Sequence, residues 1–195
     1  MMKQKSINTV FKFISGIEII GICIIILIAL YFQLVLNELP CPLCLLQRLG
    51  LLGVAFGFLL NTHYHVRPSH YALSLISAVV TSFVSLRQIA LHVTDPVGYG
   101  SSFLGFHMYT WVFILCCVII LYIAIVMSFP RQYMIYKDKA HIEKISEARG
   151  KKTRLFTRCA FILFLVVIIL NMFSTFSECG LTECPDNPTS YKLLK

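Results

Sequence analysis

An all-α membrane protein is the fold class this sequence predicts: a four-helix transmembrane bundle with a fifth, C-terminal transmembrane helix. Three observations carry that prediction. The chain of 195 residues is 57% hydrophobic and 13% charged, a balance too apolar for a soluble domain of this length. Five apolar segments approach or exceed the roughly 20 residues that a helix needs to cross a bilayer. The basic residues gather in every second connection, as they do when Lys and Arg are left on the cytoplasmic side.

The first span is expected near residues 13–34. Lys3, Lys5 and Lys12 precede it, but its apolar stretch is too long for a signal peptide and no small-residue cleavage site follows, so it reads as a retained helix. The second is expected near 43–60, opening at Pro42, which suits the first turn of a helix because its missing N–H costs nothing there. The third, fourth and fifth fall near 71–91, 109–129 and 159–176, and a cysteine-bearing tail follows over 177–195. Gly50, Gly53 and Gly57 share one side of the second span, and Ser74, Ser77, Thr81 and Ser85 one side of the third. Small residues so spaced let membrane helices approach closely. The longest connection, 130–158, contains "KDKAHIEKISEARGKK", expected as a short solvated helix without a broad apolar stripe. No second soluble domain fits, so residues 1–195 read as a single integral membrane domain.

Thirteen of the seventeen Lys and Arg residues lie at the N-terminus, at Arg67 and between Arg131 and Arg158. That pattern predicts a cytoplasmic N-terminus, with the 92–108 connection, the Cys41 region and the C-terminal tail on the outer side. The formal charge of +8 is then topology and attraction to anionic lipid. It does not imply nucleic-acid binding.

Of eight cysteines, Cys41, Cys44, Cys179 and Cys184 fall on the predicted outer face, where disulfides persist if the compartment is oxidising. Cys23, Cys116, Cys117 and Cys159 lie in or beside spans and read as small buried hydrophobes. "ELPCPLCLLQR", residues 38–48, carries the strongest signal. It sets a Cys-x-x-Cys pair at a helix start, where unpaired N–H groups and the helix dipole favour thiolate and hence thiol–disulfide exchange. Arg48 follows Cys44 by four residues, on nearly the same face and about 6 Å along the axis. An arginine one turn inside a membrane is expensive enough to suggest function, either beside the thiol or holding an oxyanion on a small acceptor. Its plain alternative is a side chain that snorkels to the interface.

The tail "SECGLTECPDNP" offers Cys179 and Cys184 as a second pair, with Gly180 permitting a tight turn. Two redox pairs on one face suggest a relay in which a substrate dithiol reduces one and that one reduces the other. A disulfide that only staples the tail is the plain alternative. Electrons taken from thiols must leave. With no nucleotide loop, haem or flavin motif in the sequence, a lipid-soluble carrier is the simplest acceptor.

These residues resemble the DsbB family of bacterial inner-membrane enzymes, which oxidise thioredoxin-like thiol oxidases and pass electrons to quinone. The resemblance is specific in "YFQLVLNELPCPLCLLQR", residues 31–48, looser in "LRQIALH", 86–92, and "FLGFHMYTW", 103–111, and spans roughly residues 13–129. It implies that Cys41 and Cys44 are the quinone-coupled pair, that Cys44 engages the quinone ring and that Arg48 is its electrostatic partner. It also implies that His92 stands near the quinone headgroup, that ubiquinone or menaquinone is the cofactor and that a periplasmic DsbA-like oxidase is the partner. The chain departs from the family pattern in one respect: residues 92–108, where the second cysteine pair is expected, hold none. Cys179 and Cys184 are inferred to take that place, as in five-span variants.

Two other classes compete with the oxidoreductase reading. One is a membrane metal-binding protein using the four outer cysteines, and the other a non-catalytic scaffold with structural disulfides. The Cys-x-x-Cys at a helix start, with arginine one turn later, disfavours both. His63, His65 and His70 read as part of a solvated connection, and His107 and Trp111 as interfacial anchors. Glu18, within the first span, is left open.

Overall fold

Proline marks two of the helix starts. In the computed structural model of the protein, Pro42 and Pro68 occupy the first turns of α2 (Pro42–His63) and α3 (Pro68–His92). The residue before each, Cys41 and Arg67, is extended, as the ring of a following proline requires. The structure describes residues 2–95, 98–100, 102–133, 151–185 and 191. Among the described residues three further helices complete the set: α1 (Met2–Val35), α4 (Met108–Met127) and α5 (Lys151–Cys179). All five are long and apolar enough to cross a membrane, which makes this a multi-pass all-α membrane protein. The segment 137–150, within the expected solvated helix, lies outside the described residues.

Two helix ends differ from the sequence expectation for physical reasons. α4 stops at Met127, two residues early, because Ser128 caps it and Pro130 opens a single 3-10 turn over Pro130–Tyr133. α5 runs through Cys179 rather than ending at residue 176. Gly180 breaks it, with φ of 65° and its N–H returned to the Phe176 carbonyl at 2.8 Å.

α2 is the centre of the bundle, packing on α1 and α3 and touching α5, while α3 carries α4 and α1 carries α5. The two predicted small-residue stripes face one another. A side-chain carbon added at Gly50, Gly53 or Gly57 would strike Thr81, Ser77 or Ser74 respectively. Ser74 also donates to the Val54 carbonyl at 2.8 Å, a polar bond across the seam where lipid offers no competing partner. On the other side, Phe13 packs on Phe156 in a tilted contact with ring centroids 4.7 Å apart, fixing α5 against α1. Ile19, Ile26, Val54, Phe58, Ile123 and Val167 are among the buried core. Apolar residues such as Ile24, Phe83, Leu121 and Ile169 remain exposed on the rim, a lipid-facing surface rather than a solvated one.

The antiparallel alternation brings the end of α1, the starts of α2 and α4, and the ends of α3 and α5 to one end of the bundle, called here the cysteine end. The α3–α4 connection contains a hairpin that sequence analysis did not foresee. β1 (Ser102–Phe103) pairs with β2 (Phe106–His107) across Leu104 and Gly105, both at positive φ. Gly98, with φ of 65°, leaves room for the His107 ring to pack directly on its backbone. His107 thus serves loop packing, and the Trp111 indole donates to the Phe103 carbonyl at 2.9 Å.

Candidate functional site

The cysteine end concentrates polar side chains in a bundle that is otherwise apolar. Cys41 caps α2: its sulfur accepts the Cys44 backbone N–H at 3.3 Å, one of the donors a helix start leaves unpaired. The two sulfurs stand 2.8 Å apart, unbonded and hydrogen-bonded, roughly 0.8 Å beyond disulfide bonding distance. That hydrogen bond, with burial added, pushes the Cys41 thiol up, so Cys41 holds its proton.

Three glutamines organise this pair and the arginine below it. Gln88 of α3, fully buried, donates its amide N–H₂ to Cys41 at 3.2 Å and to Cys44 at 3.3 Å. Its carbonyl oxygen accepts from Gln47 at 2.7 Å, which fixes the orientation that turns the donor toward the sulfurs. Amide donors aimed at two sulfurs stabilise negative charge on either. Arg48, 8% exposed, donates to Gln33 Oε1 at 2.7 Å and to the Ala29 carbonyl at 3.1 Å, both on α1. It does not snorkel. The guanidinium is fastened into the α1–α2 interface.

Beside Cys44 and Arg48 lies a cavity of about 320 Å³. Ile25, Ile26, Phe32, Leu51 and Val112 make its apolar wall, and Cys44, Gln47 and Arg48 supply its polar edge. Tyr99 and Gly100 close it from the α3–α4 connection, and Tyr109 from the first turn of α4. The Tyr99 hydroxyl donates to the Leu39 carbonyl at 2.7 Å, tying that connection to the segment ahead of Cys41. Burial pushes the Tyr99 phenol up, so it remains a donor. His92 is set one layer back. It packs on Tyr109 and Tyr99, with centroids 5.9 and 6.0 Å away, and binds Asp95 at 2.8 Å, so it braces the cavity's aromatic wall without lining it.

The second cysteine pair sits where α5 ends. Cys179 and Cys184 are bonded to one another, and Cys179 is buried. The preceding residue, Glu178, is 1% exposed and accepts from Gln33 Nε2 at 3.2 Å. Gln33, Gln88, Tyr99 and Glu178 are not among the residues singled out from the sequence. A polar residue inside an apolar span is itself a signal, because the membrane penalises it unless it is paired.

Residues 12–98 match the family model described as disulfide bond formation protein DsbB. Over that segment, somewhat under half of its length, the chain is similar to the DsbB family. Disulfide bond formation protein B of Pasteurella multocida is 33% identical over 67 residues, 34% of this chain and 36% of that relative. Disulfide bond formation protein B 1 of Pseudomonas putida is 45% identical over 53 residues, 27% of this chain and 29% of the relative. The protein of the same name from Pseudomonas savastanoi pv. phaseolicola is 54% identical over 44 residues, 21% of this chain and 26% of its own length. The matches thus span about a third or less of these curated relatives. No solved structure gives a significant match. The matched segment contains Gln33, Cys41, Cys44, Gln47, Arg48, Gln88 and His92, whereas Glu178, Cys179 and Cys184 lie beyond it.

Proposed function

We propose that this protein is a membrane thiol–disulfide oxidoreductase that reoxidises a periplasmic thioredoxin-like disulfide donor and passes the electrons to quinone. The observation that carries the reading is the cavity that has Cys44 and Arg48 on one edge, a mostly apolar wall, and a few further polar groups from Glu38, Gln47, Tyr99 and Tyr109. Its volume falls at the lower end of the roughly 300–1,000 Å³ of small-molecule sites. A flat, largely apolar ring with two carbonyl oxygens fits that division of the wall. Quinone supplies an acceptor for two electrons and two protons, and Arg48, Gln47, Tyr99 and Tyr109 are the residues that would hold it, with His92 bracing the aromatic wall.

The chain's own part is a relay of exchanges. A partner dithiol reduces the Cys179–Cys184 disulfide, so the partner leaves oxidised and the tail pair becomes two thiols. The tail dithiol then reduces a Cys41–Cys44 disulfide and recloses its own. Cys41 and Cys44 finally close their bond again, releasing two electrons and two protons. Gln88 supports each turn of this cycle by donating to whichever sulfur carries charge, and Arg48 holds positive charge beside the acceptor. The same reading makes the protein a bacterial inner-membrane component, with its N-terminus cytoplasmic and its cysteine end and C-terminus periplasmic. The whole chain forms one integral membrane domain.

The test is quinone reduction by purified protein, followed by absorbance, with a reduced thioredoxin-like oxidase as electron donor. Wild type should turn over, Cys44→Ala should not, and Cys179→Ser should lose reaction with the protein donor. Inactivity of the wild type with several quinones and donors would sink the reading. Metal bound stoichiometrically at the cysteines would replace it with the metal-binding alternative.

A further inference from the structure

The relay uses neither Glu178 nor the fifth helix beyond its cysteines, yet the structure joins Glu178 to the arginine of the cavity. A guanidinium donates hydrogen bonds and accepts none. Arg48 therefore requires that Gln33 present its carbonyl oxygen, as it does at 2.7 Å. An amide so turned directs its N–H₂ the opposite way, and Glu178 Oε2 receives it at 3.2 Å. Gln33 is fully buried, so an N–H₂ left without an acceptor would reorient the amide and withdraw the oxygen from Arg48. The second Glu178 oxygen is buried with no hydrogen-bond partner among the described residues. A carboxyl kept in that condition is poorly explained by stability alone.

We infer that Glu178 is a positioning residue for Arg48, acting through the amide of Gln33, so that the fifth helix sets the guanidinium at the cavity. The inference rests on the proposed function in taking that cavity as the quinone site. It gives the fifth helix a role at the cavity in addition to carrying the tail disulfide. Since Cys179 is the next residue in the chain, the anchor of Arg48 and the tail pair share one helix end.

The test is a double-mutant cycle in full-length detergent-solubilised protein, reading the Kd of a water-soluble short-chain benzoquinone by calorimetry and its KM and kcat in turnover. Glu178→Leu should weaken binding and raise KM about tenfold with kcat within about twofold. Glu178→Gln, whose side-chain oxygen still accepts from Gln33, should stay within about threefold of wild type. Gln33→Leu should reproduce Glu178→Leu, and the double variant should be no worse than either single one, because the two residues act on Arg48 in series.

Losses that multiply in the double variant would overturn the inference, as would unchanged affinity in Glu178→Leu accompanied only by a lower Tm. If Glu178→Leu does not fold, Gln33→Met decides, and wild-type affinity there would overturn the inference equally. A failure of the proposed function reads differently: the wild type would bind the benzoquinone but take no electrons from any dithiol, while the affinity cycle would still judge Glu178. A wild type that binds no benzoquinone overturns both.

Discussion

The two cysteine pairs at the cysteine end are built in opposite ways. Cys41 and Cys44 open a helix and receive two amide N–H bonds from Gln88, and Cys44 borders a cavity. Cys179 and Cys184 close a helix and are joined across a loop that starts with Gly180 at positive φ and carries Leu181 fully in the open. A helix start favours negative charge and a helix end disfavours it. The surroundings of the first pair thus suit a reactive thiolate, and those of the second suit a closed disulfide, with Cys179 buried and only the intervening loop exposed. In the proposed relay the pairs take distinct tasks, the inner one facing the acceptor and the outer one facing the donor.

The largest expected effect separates those tasks outright. Cys44→Ala should abolish quinone reduction with any dithiol, whereas Cys179→Ser should lose it with a protein donor and keep it with a small dithiol such as dithiothreitol. Equal loss in both variants with the small dithiol, measured by quinone absorbance, would erase the distinction.

Gln88→Leu comes next. It removes the donor shared by both inner sulfurs and strands Gln47, at a cost of about 1.5–3 kcal/mol for a bond to charge. Turnover should fall roughly tenfold to a hundredfold, while reduction of the tail disulfide alone, followed by thiol labelling, stays unchanged. A tail pair slowed to the same degree would mean that Gln88 supports the fold rather than the chemistry.

A smaller effect is expected on the other side. Gly180→Ala strains a left-handed position by roughly 1–2 kcal/mol, which should slow reclosure of the tail disulfide by about fivefold or more and leave direct oxidation of the inner pair by quinone intact. Rapid-quench alkylation with mass spectrometry would separate the two. The smallest effect is thermodynamic. Helix-end electrostatics of about 1 kcal/mol should make the inner disulfide the stronger oxidant by about 20 mV, the sign that drives electrons from tail to cavity. Redox titration of each pair, with the other replaced by serine, gives the order, and a tail pair of higher potential would reverse the proposed flow.

Much of this architecture is legible in the sequence because it is written locally. Apolar runs, Pro42 before a helix and the glycine and hydroxyl stripes all act within a few turns of themselves. What escaped was the polar network. Gln33 and Glu178 are 145 positions apart, and their meeting depends on how α5 packs along α1, which no local period encodes. The hairpin escaped because Leu104 adopts a left-handed conformation that its side chain does not advertise, although Gly105 beside it does. His92 was legible as a neighbour of the cavity. Its distance from the wall depends on two intervening tyrosine rings, which only packing could reveal.

The seam between α2 and α3 has a consequence for the chemistry above it. Read along the antiparallel pair, Gly57 meets Ser74, Gly53 meets Ser77 and Gly50 meets Thr81, and two more turns in the same register bring Cys44 to Gln88. The three glycine contacts are too close to tolerate sliding, so they work as a key cut along the helices. A slip by one turn would carry the amide about 5.4 Å from the sulfurs and beyond hydrogen-bond reach. Residues deep in the bilayer, with no part in electron transfer, thereby hold the alignment on which the thiols depend.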